Sequence, residues 1–73
     1  MTNINEQEEL KDQSFVAKYL GVKEGTLEDW RYRRRKGESA GPDYIRVTSQ
    51  CIRYRMSDVV AFVEARVDRA VGA

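Results

Sequence analysis

Histidine is absent from the 73 residues, and cysteine and proline occur once each. Without histidine the commonest general base is missing. With Cys51 alone, neither a disulfide nor a zinc site of the usual Cys/His patterns can be assembled. No catalytic residue, metal or cofactor is therefore expected, and the chain is not expected to be an enzyme. No apolar run approaches the roughly 20 residues of a membrane span. The N-terminus also lacks the basic-then-apolar order of a secretion signal. A cytoplasmic protein is the expectation, with no membrane partner and no small-molecule substrate.

Negative charge is scarce in one part of the chain. Between Arg31 and Arg55 only Glu38 and Asp43 oppose eight arginines and lysines, whereas the formal charge of the whole chain is +1. The balancing acids lie elsewhere, with Glu6, Glu8, Glu9 and Asp12 among the first twelve residues. A concentrated positive field of this kind attracts polyanions even when net charge is near zero. Its densest part is DWRYRRRK, Asp29 to Lys36, where five cations follow the only tryptophan.

Length predicts one small domain with one core. MTNINEQEELKD is polar and acidic, so residues 1–12 are expected to be a disordered tail. The domain is expected over 13–70, with 71–73 a C-terminal tail. Asp12 or Ser14 can cap a first helix, in which Val16, Ala17 and Leu20 fall at helical spacing and which Gly21 ends in left-handed conformation. VKEG is a tight connection, and Thr26 with Asp29 makes a capping box for a second helix. There Leu27 and Trp30 face the core, while Thr26, Asp29, Tyr32, Arg33 and Lys36 point away. Arg34 falls on the Trp30 side, where its stem can cover the core.

From Pro42 the pattern alternates. Ile45, Val47, Ile52 and Tyr54 take one side and Arg46, Cys51 and Arg53 the other, with Thr48–Gln50 as the turn of a hairpin. Ser57 caps a third helix with Asp58 in its first turn. Val59, Phe62, Val63 and Arg66 share one face of it, and Val60, Val63 and Val67 a neighbouring one. The expected fold is mainly α with a small β-hairpin: a winged helix-turn-helix, made of a helix-turn-helix, a two-stranded wing and a C-terminal helix.

VAKYLGV, TLEDWR, GPDYIRV and YRMSDVVAFVEA together resemble the excisionase branch of small winged helix-turn-helix DNA-binding proteins, over about Phe15 to Arg66. The same pattern occurs in the DNA-binding domain of MerR-like regulators. The resemblance implies that the second helix enters the major groove and that the hairpin reaches the backbone or minor groove. It implies a recombination directionality factor that binds tandem sites cooperatively, bends DNA and directs a phage or plasmid integrase, a tyrosine or serine recombinase, to excision. Two positions depart from the family. The wing tip is Thr48, Ser49 and Gln50 where glycine is frequent, and Asp29 stands where a basic residue is frequent.

Trp30 is assigned to the core, since aromatics at helical spacing with leucine are usually buried. The run from Arg31 to Lys36 is either a solvated face or a nucleic-acid contact. Five like charges in six residues repel one another, which favours the contact. Thr26, Asp29, Tyr32, Arg33 and Lys36 are the candidate groove residues, and Lys23, Arg31 and Arg35 candidate phosphate contacts. Arg46, Ser49, Gln50 and Arg53 are the wing candidates. Arg46, Arg53 and Arg55, outward on the hairpin, can equally clamp flanking phosphates or keep an edge soluble, and Arg55 can also pair locally with Asp58. Glu24 and Glu28 suit the positive end of a helix better than any acid–base or metal site. Double-stranded DNA and an integrase are the expected partners, with head-to-tail self-association on DNA. A small transcriptional regulator is the alternative of the same class. A protein-interaction module for an acidic partner is the alternative of another class.

Overall fold

The computed structural model describes residues 9–68. In chain order it comprises strand β1 (Leu10–Lys11), helices α1 (Gln13–Leu20) and α2 (Glu24–Arg35), strands β2 (Ile45–Thr48) and β3 (Cys51–Arg55), and helix α3 (Met56–Glu64). The strands form one antiparallel sheet in the order β1-β3-β2. Three helices therefore pack with a three-stranded sheet, one strand more than the hairpin expected from sequence.

The additional strand shortens the expected tail. Leu10 pairs with Arg55 and Lys11 with Tyr54, so residues 10 and 11 belong to the fold. Residues 1–8 and 69–73 lie outside the described residues, and with them both ends of the expected domain layout.

Asp12 caps α1, its carboxylate accepting from the Phe15 N–H at 2.9 Å. Gly21 closes the helix at φ 74°, and the Gly21 and Val22 N–H groups donate back to Lys18 and Ala17. This left-handed termination is one that glycine adopts without steric cost. Helix α2 starts three residues earlier than the capping box would have it. Lys23 is its N-cap, without a side-chain hydrogen bond, and Thr26 is inside the first turn. The carboxylate of Asp29 pairs with Arg33 instead. Likewise α3 follows β3 directly, with Arg55 as N-cap, so Ser57 lies in the helix. The pairing of Arg55 Nε with Asp58 Oδ2 at 3.1 Å matches the local role expected for it.

The hairpin corrects a phase. Ile45 lies opposite Arg53 and Arg46 opposite Ile52, and residues directly opposite share a face of the sheet. Ile52 and Tyr54 face the core as expected, but Ile45 does not join them. Tyr44 is the β2-side residue packed on the core. A bulge between Arg46 and Thr48 shifts the register at Val47, which is 51% exposed. Thr48 belongs to the strand, leaving Ser49–Gln50 as a two-residue turn. Among the described residues no non-glycine residue has positive φ, so this turn is neither of the types that match strand twist, and the bulge accommodates the mismatch.

Val16, Ala17, Leu27, Tyr54 and Val59 form the buried core, with Leu20, Val22, Trp30, Tyr44, Ile52 and Met56 packed against it. Each element except β1 and β2 thus contributes a fully buried side chain, at roughly 1.5–3 kcal/mol for a large aliphatic one. Trp30 packs on Phe62 of α3 with ring centroids 5.4 Å apart, in keeping with its assignment to the core. Its other flank meets Gly41, at φ 73°, where a Cβ would stand 2.8 Å from Trp30 Cβ.

Candidate nucleic-acid interface

Helical geometry divides the cation run of α2 into two sets. Arg31 and Arg34 turn inward. Arg31 Nη1 donates to the hydroxyl of buried Tyr54 at 2.8 Å. Arg34 pairs with Asp43 at 2.8 Å and donates to the Gly41 carbonyl at 3.3 Å. Both guanidinium groups also lie 5.9 Å from the Tyr44 ring centroid. Arg33, Arg35 and Lys36 remain exposed.

The outward set is not uniform. Arg33 Nε pairs with Asp29 Oδ2 at 3.0 Å, one helical turn back, with both side chains about half exposed. Such an exposed pair is weak, about 0.3–0.5 kcal/mol, and can open to a competing anion. Tyr32 projects from the same surface, 51% exposed. Lys36 Nζ lies 5.1 Å from its ring centroid and donates to its hydroxyl at 3.3 Å, with Arg35 at 6.0 Å. Thr26 is half-buried in the first turn, and Lys23 is exposed at the N-cap.

On the hairpin, Arg46 is exposed and donates to the Ser49 carbonyl at 3.3 Å, which holds its guanidinium beside the turn. Ser49 and Gln50 are exposed at the tip. Arg53 is half-buried and donates to the adjacent Ile52 carbonyl at 2.8 Å.

Two hollows run between α2 and the hairpin. The one at the C-terminal end of α2, about 630 Å³, is lined by Arg34, Arg35, Asp43, Tyr44, Arg46 and Arg55. Four arginines meet one carboxylate there. Among the described residues no ion pair engages Arg35, Lys36, Arg46 or Arg53. The hollow at the other end, about 290 Å³, has Asp12 and Glu24 against Arg31 and Arg53 and reaches Gln50. Beside it Gln13 Nε2 donates to Glu24 Oε1 at 3.0 Å and to Glu28 Oε2 at 3.1 Å, tying the start of α1 to the start of α2.

The structure therefore brings Arg35 and Arg46 to one hollow and places Arg53 and Gln50 at the other. Asp29, Tyr32, Arg33 and Lys36 lie on the outer surface of α2. Tyr44 in the basic hollow was not among the sequence candidates, and Arg55 was weighed only as an outward strand arginine able to clamp phosphate, keep the edge soluble or pair with Asp58. Their place depends on how β3 pairs with β2 and meets α2, which no local spacing encodes.

The pKa of the Tyr54 hydroxyl is displaced upward from 10.0. Burial raises it, and the hydrogen bond and charge of Arg31 oppose that rise. Among the described residues no group of His, Cys, Asp and Glu could hold a metal ion. No described helix is long and apolar enough to cross a membrane. Comparison with protein-family models, with curated proteins and with solved structures finds no match.

Proposed function

We propose that the protein binds duplex DNA as a winged helix-turn-helix, with α1 and α2 as the helix-turn-helix, α2 in the major groove and the β2–β3 hairpin as the wing. The observation that carries this reading is the basic hollow. Arg35 and Arg46, from two different elements, reach one concave surface without carboxylate partners, beside Arg34 and Arg55. Unpaired like charges brought together by a fold raise its free energy unless a polyanion neutralises them. A duplex presents phosphates at the spacing of its backbone, and arginine meets phosphate with two parallel donors.

In this reading Arg35, Lys36 and Arg46 contact phosphate, and Arg33 joins them when its weak pair with Asp29 opens. Tyr32 and Asp29 lie where base edges pass. Asp29 suits the amino group of cytosine, since a carboxylate there accepts but cannot donate. No catalysis is assigned to the chain, and its work is binding.

The same reading extends to an excisionase. A module of this size covers about 600–1,000 Å² of its own surface on DNA, so a long site needs several copies. The acidic start of α2, with Glu24 and Glu28, and the basic hollow at its end are complementary charges on one molecule. Such heterologous contacts between successive copies do not close into a ring. Copies then line up head to tail on tandem sites, curve the duplex and present it to an integrase.

Titration of a fluorescent mixed-sequence duplex at several salt concentrations tests the binding. A linear fall of log affinity with log salt, with a slope of about three or more from Arg35, Lys36, Arg46 and Arg33, is expected. Binding that is absent, or equal for the duplex and an acidic polypeptide of matched charge, would sink it. Isotherms on one-site and two-site duplexes test the assembly. Equal affinity per site on both would leave a solitary repressor as the better reading.

A further inference from the structure

Arg31 stands in the middle of the basic run, yet its guanidinium faces into the molecule and donates at 2.8 Å to the hydroxyl of Tyr54, a fully buried side chain on β3. Tyr54 is also one of the two β3 residues that pair with β1, opposite Lys11, and its ring lies 6.3 Å from that of Tyr44. Arg31 itself lies 5.9 Å from the Tyr44 ring. One guanidinium thus spans from α2 to both flanks of the hairpin base. Among the described residues, the other side-chain hydrogen bonds and ion pairs from α2 to the loop after it are those of Arg34, to Asp43 and Gly41, both before β2 begins. Among the described residues Arg31–Tyr54 is the side-chain hydrogen bond from α2 to a strand of the hairpin itself.

We infer that Arg31 acts as a positioning residue, fixing through Tyr54 the angle between α2 and the hairpin so that both meet one duplex at once. This role rests on the DNA-binding reading and refines it. A charge at position 31 that served only to neutralise phosphate would be expected to lie in solvent, as those of Arg33, Arg35 and Lys36 do. A hydrogen bond from a charged donor to a buried hydroxyl is among the stronger polar contacts, and it restricts the donor to one geometry. Two contact surfaces held in register do not have to be ordered on binding, which is the source of the affinity that preorganisation confers. Sequence discrimination depends on that register, whereas non-specific attraction depends on charge alone.

The test uses a duplex selected from a random pool by the wild-type protein and a scrambled duplex of equal composition. Tyr54→Phe keeps the ring that fills the core and removes only the acceptor. It is expected to weaken binding to the selected duplex about tenfold, the worth of one charged hydrogen bond. Its affinity for the scrambled duplex stays within about twofold, since no charge has changed. Arg31→Met is expected to lose the same discrimination while leaving the salt slope unchanged. Arg31→Lys, which retains a donor, recovers part of it. A fall of about one in the slope for Arg31→Met would make Arg31 a direct phosphate contact and overturn the inference. Undiminished discrimination in Tyr54→Phe would overturn it too. Failure of the wild type to bind either duplex would instead remove the DNA-binding reading itself, an outcome distinct from both.

Discussion

The two hollows beside α2 both lie between that helix and the hairpin, the one at its start also walled by the beginning of α1, and they differ in charge balance. At the start of the helix Asp12 and Glu24 balance Arg31 and Arg53, and Gln13 holds two carboxylates together. At its end four arginines line the hollow, of which Arg34 pairs with Asp43 and Arg55 with Asp58, while no ion pair engages Arg35 or Arg46 among the described residues. The acids stabilise the positive end of the helix and the cations its negative end, so both satisfy the macrodipole. Only the basic end exceeds that local requirement. Arginines from the hairpin add to those of the helix there, although nothing in the folding of either element demands it. That excess is what the proposed contact with a polyanion rests on.

The comparison breaks most severely where both hollows lose their wall. Trp30 seats α2 against α3 and the loop at Gly41. Trp30→Ala is expected to cost on the order of 3 kcal/mol, and a domain this small has little stability to lose. Thermal unfolding followed by circular dichroism measures it. A variant with an unchanged transition would mean that Trp30 anchors nothing.

A change at the basic end alone comes next. Gly41→Ala places a Cβ 2.8 Å from Trp30 Cβ and 2.9 Å from its Cε3, at φ 73°. Alanine is strained there even without the contact, so a loss of about 2 kcal/mol is expected. Because Gly41 also accepts from Arg34, the displaced loop should loosen the Arg34–Asp43 wall of the basic hollow. Denaturant unfolding gives the cost. A stability within error of wild type would refute the close packing on which this rests.

The two ends separate directly by charge. Arg35→Ala and Arg46→Ala are each expected to lower the slope of log affinity against log salt by about one, with folding intact. Arg53→Ala, at the balanced end, should leave the slope unchanged. Equal effects at all three positions would dissolve the distinction between the hollows.

The sequence made the helices and most of the core legible, because Val16, Ala17, Leu20, Leu27 and Trp30 repeat at a spacing that only a helix brings to one side. Helical angle also foretold that Arg34 would turn inward. What escaped is what depends on pairing. Leu10 and Lys11 carry no strand signal of their own and become β1 only because β3 offers them an edge. Alternation in β2 was read through the bulge at Val47, which reverses the faces on either side of it. Thr26 and Ser57 looked like caps, but α2 and α3 each start earlier, on residues without a side-chain cap bond. The basic hollow escaped for the same reason as β1: Arg35, Arg46 and Arg55 are distant along the chain, and the fold alone brings them together.

The smallest expected effect concerns the Tyr54 hydroxyl, which lies between the two ends of α2 and belongs to neither hollow. Its pKa is raised above 10.0 by burial, against the opposing influence of Arg31 and with a smaller upward contribution from Tyr44. A raised folded-state pKa means that the folded protein holds this proton more tightly than the unfolded chain. Below about pH 10 both states are protonated and the full stability is present. As pH rises past that point the unfolded chain releases the proton first, and stability declines until the folded pKa is passed. Unfolding free energy measured between about pH 9 and pH 12 should therefore fall more steeply in wild type than in Tyr54→Phe. The lysines, arginines and other tyrosines are common to both proteins, so the difference isolates this one group. The variant begins lower at neutral pH, by about 1 kcal/mol for the lost hydrogen bond, and the two curves converge as the hydroxyl titrates. Parallel curves across that range would show that the folded protein holds this proton no more tightly than the unfolded chain, the hydrogen bond and charge of Arg31 then offsetting the whole effect of burial.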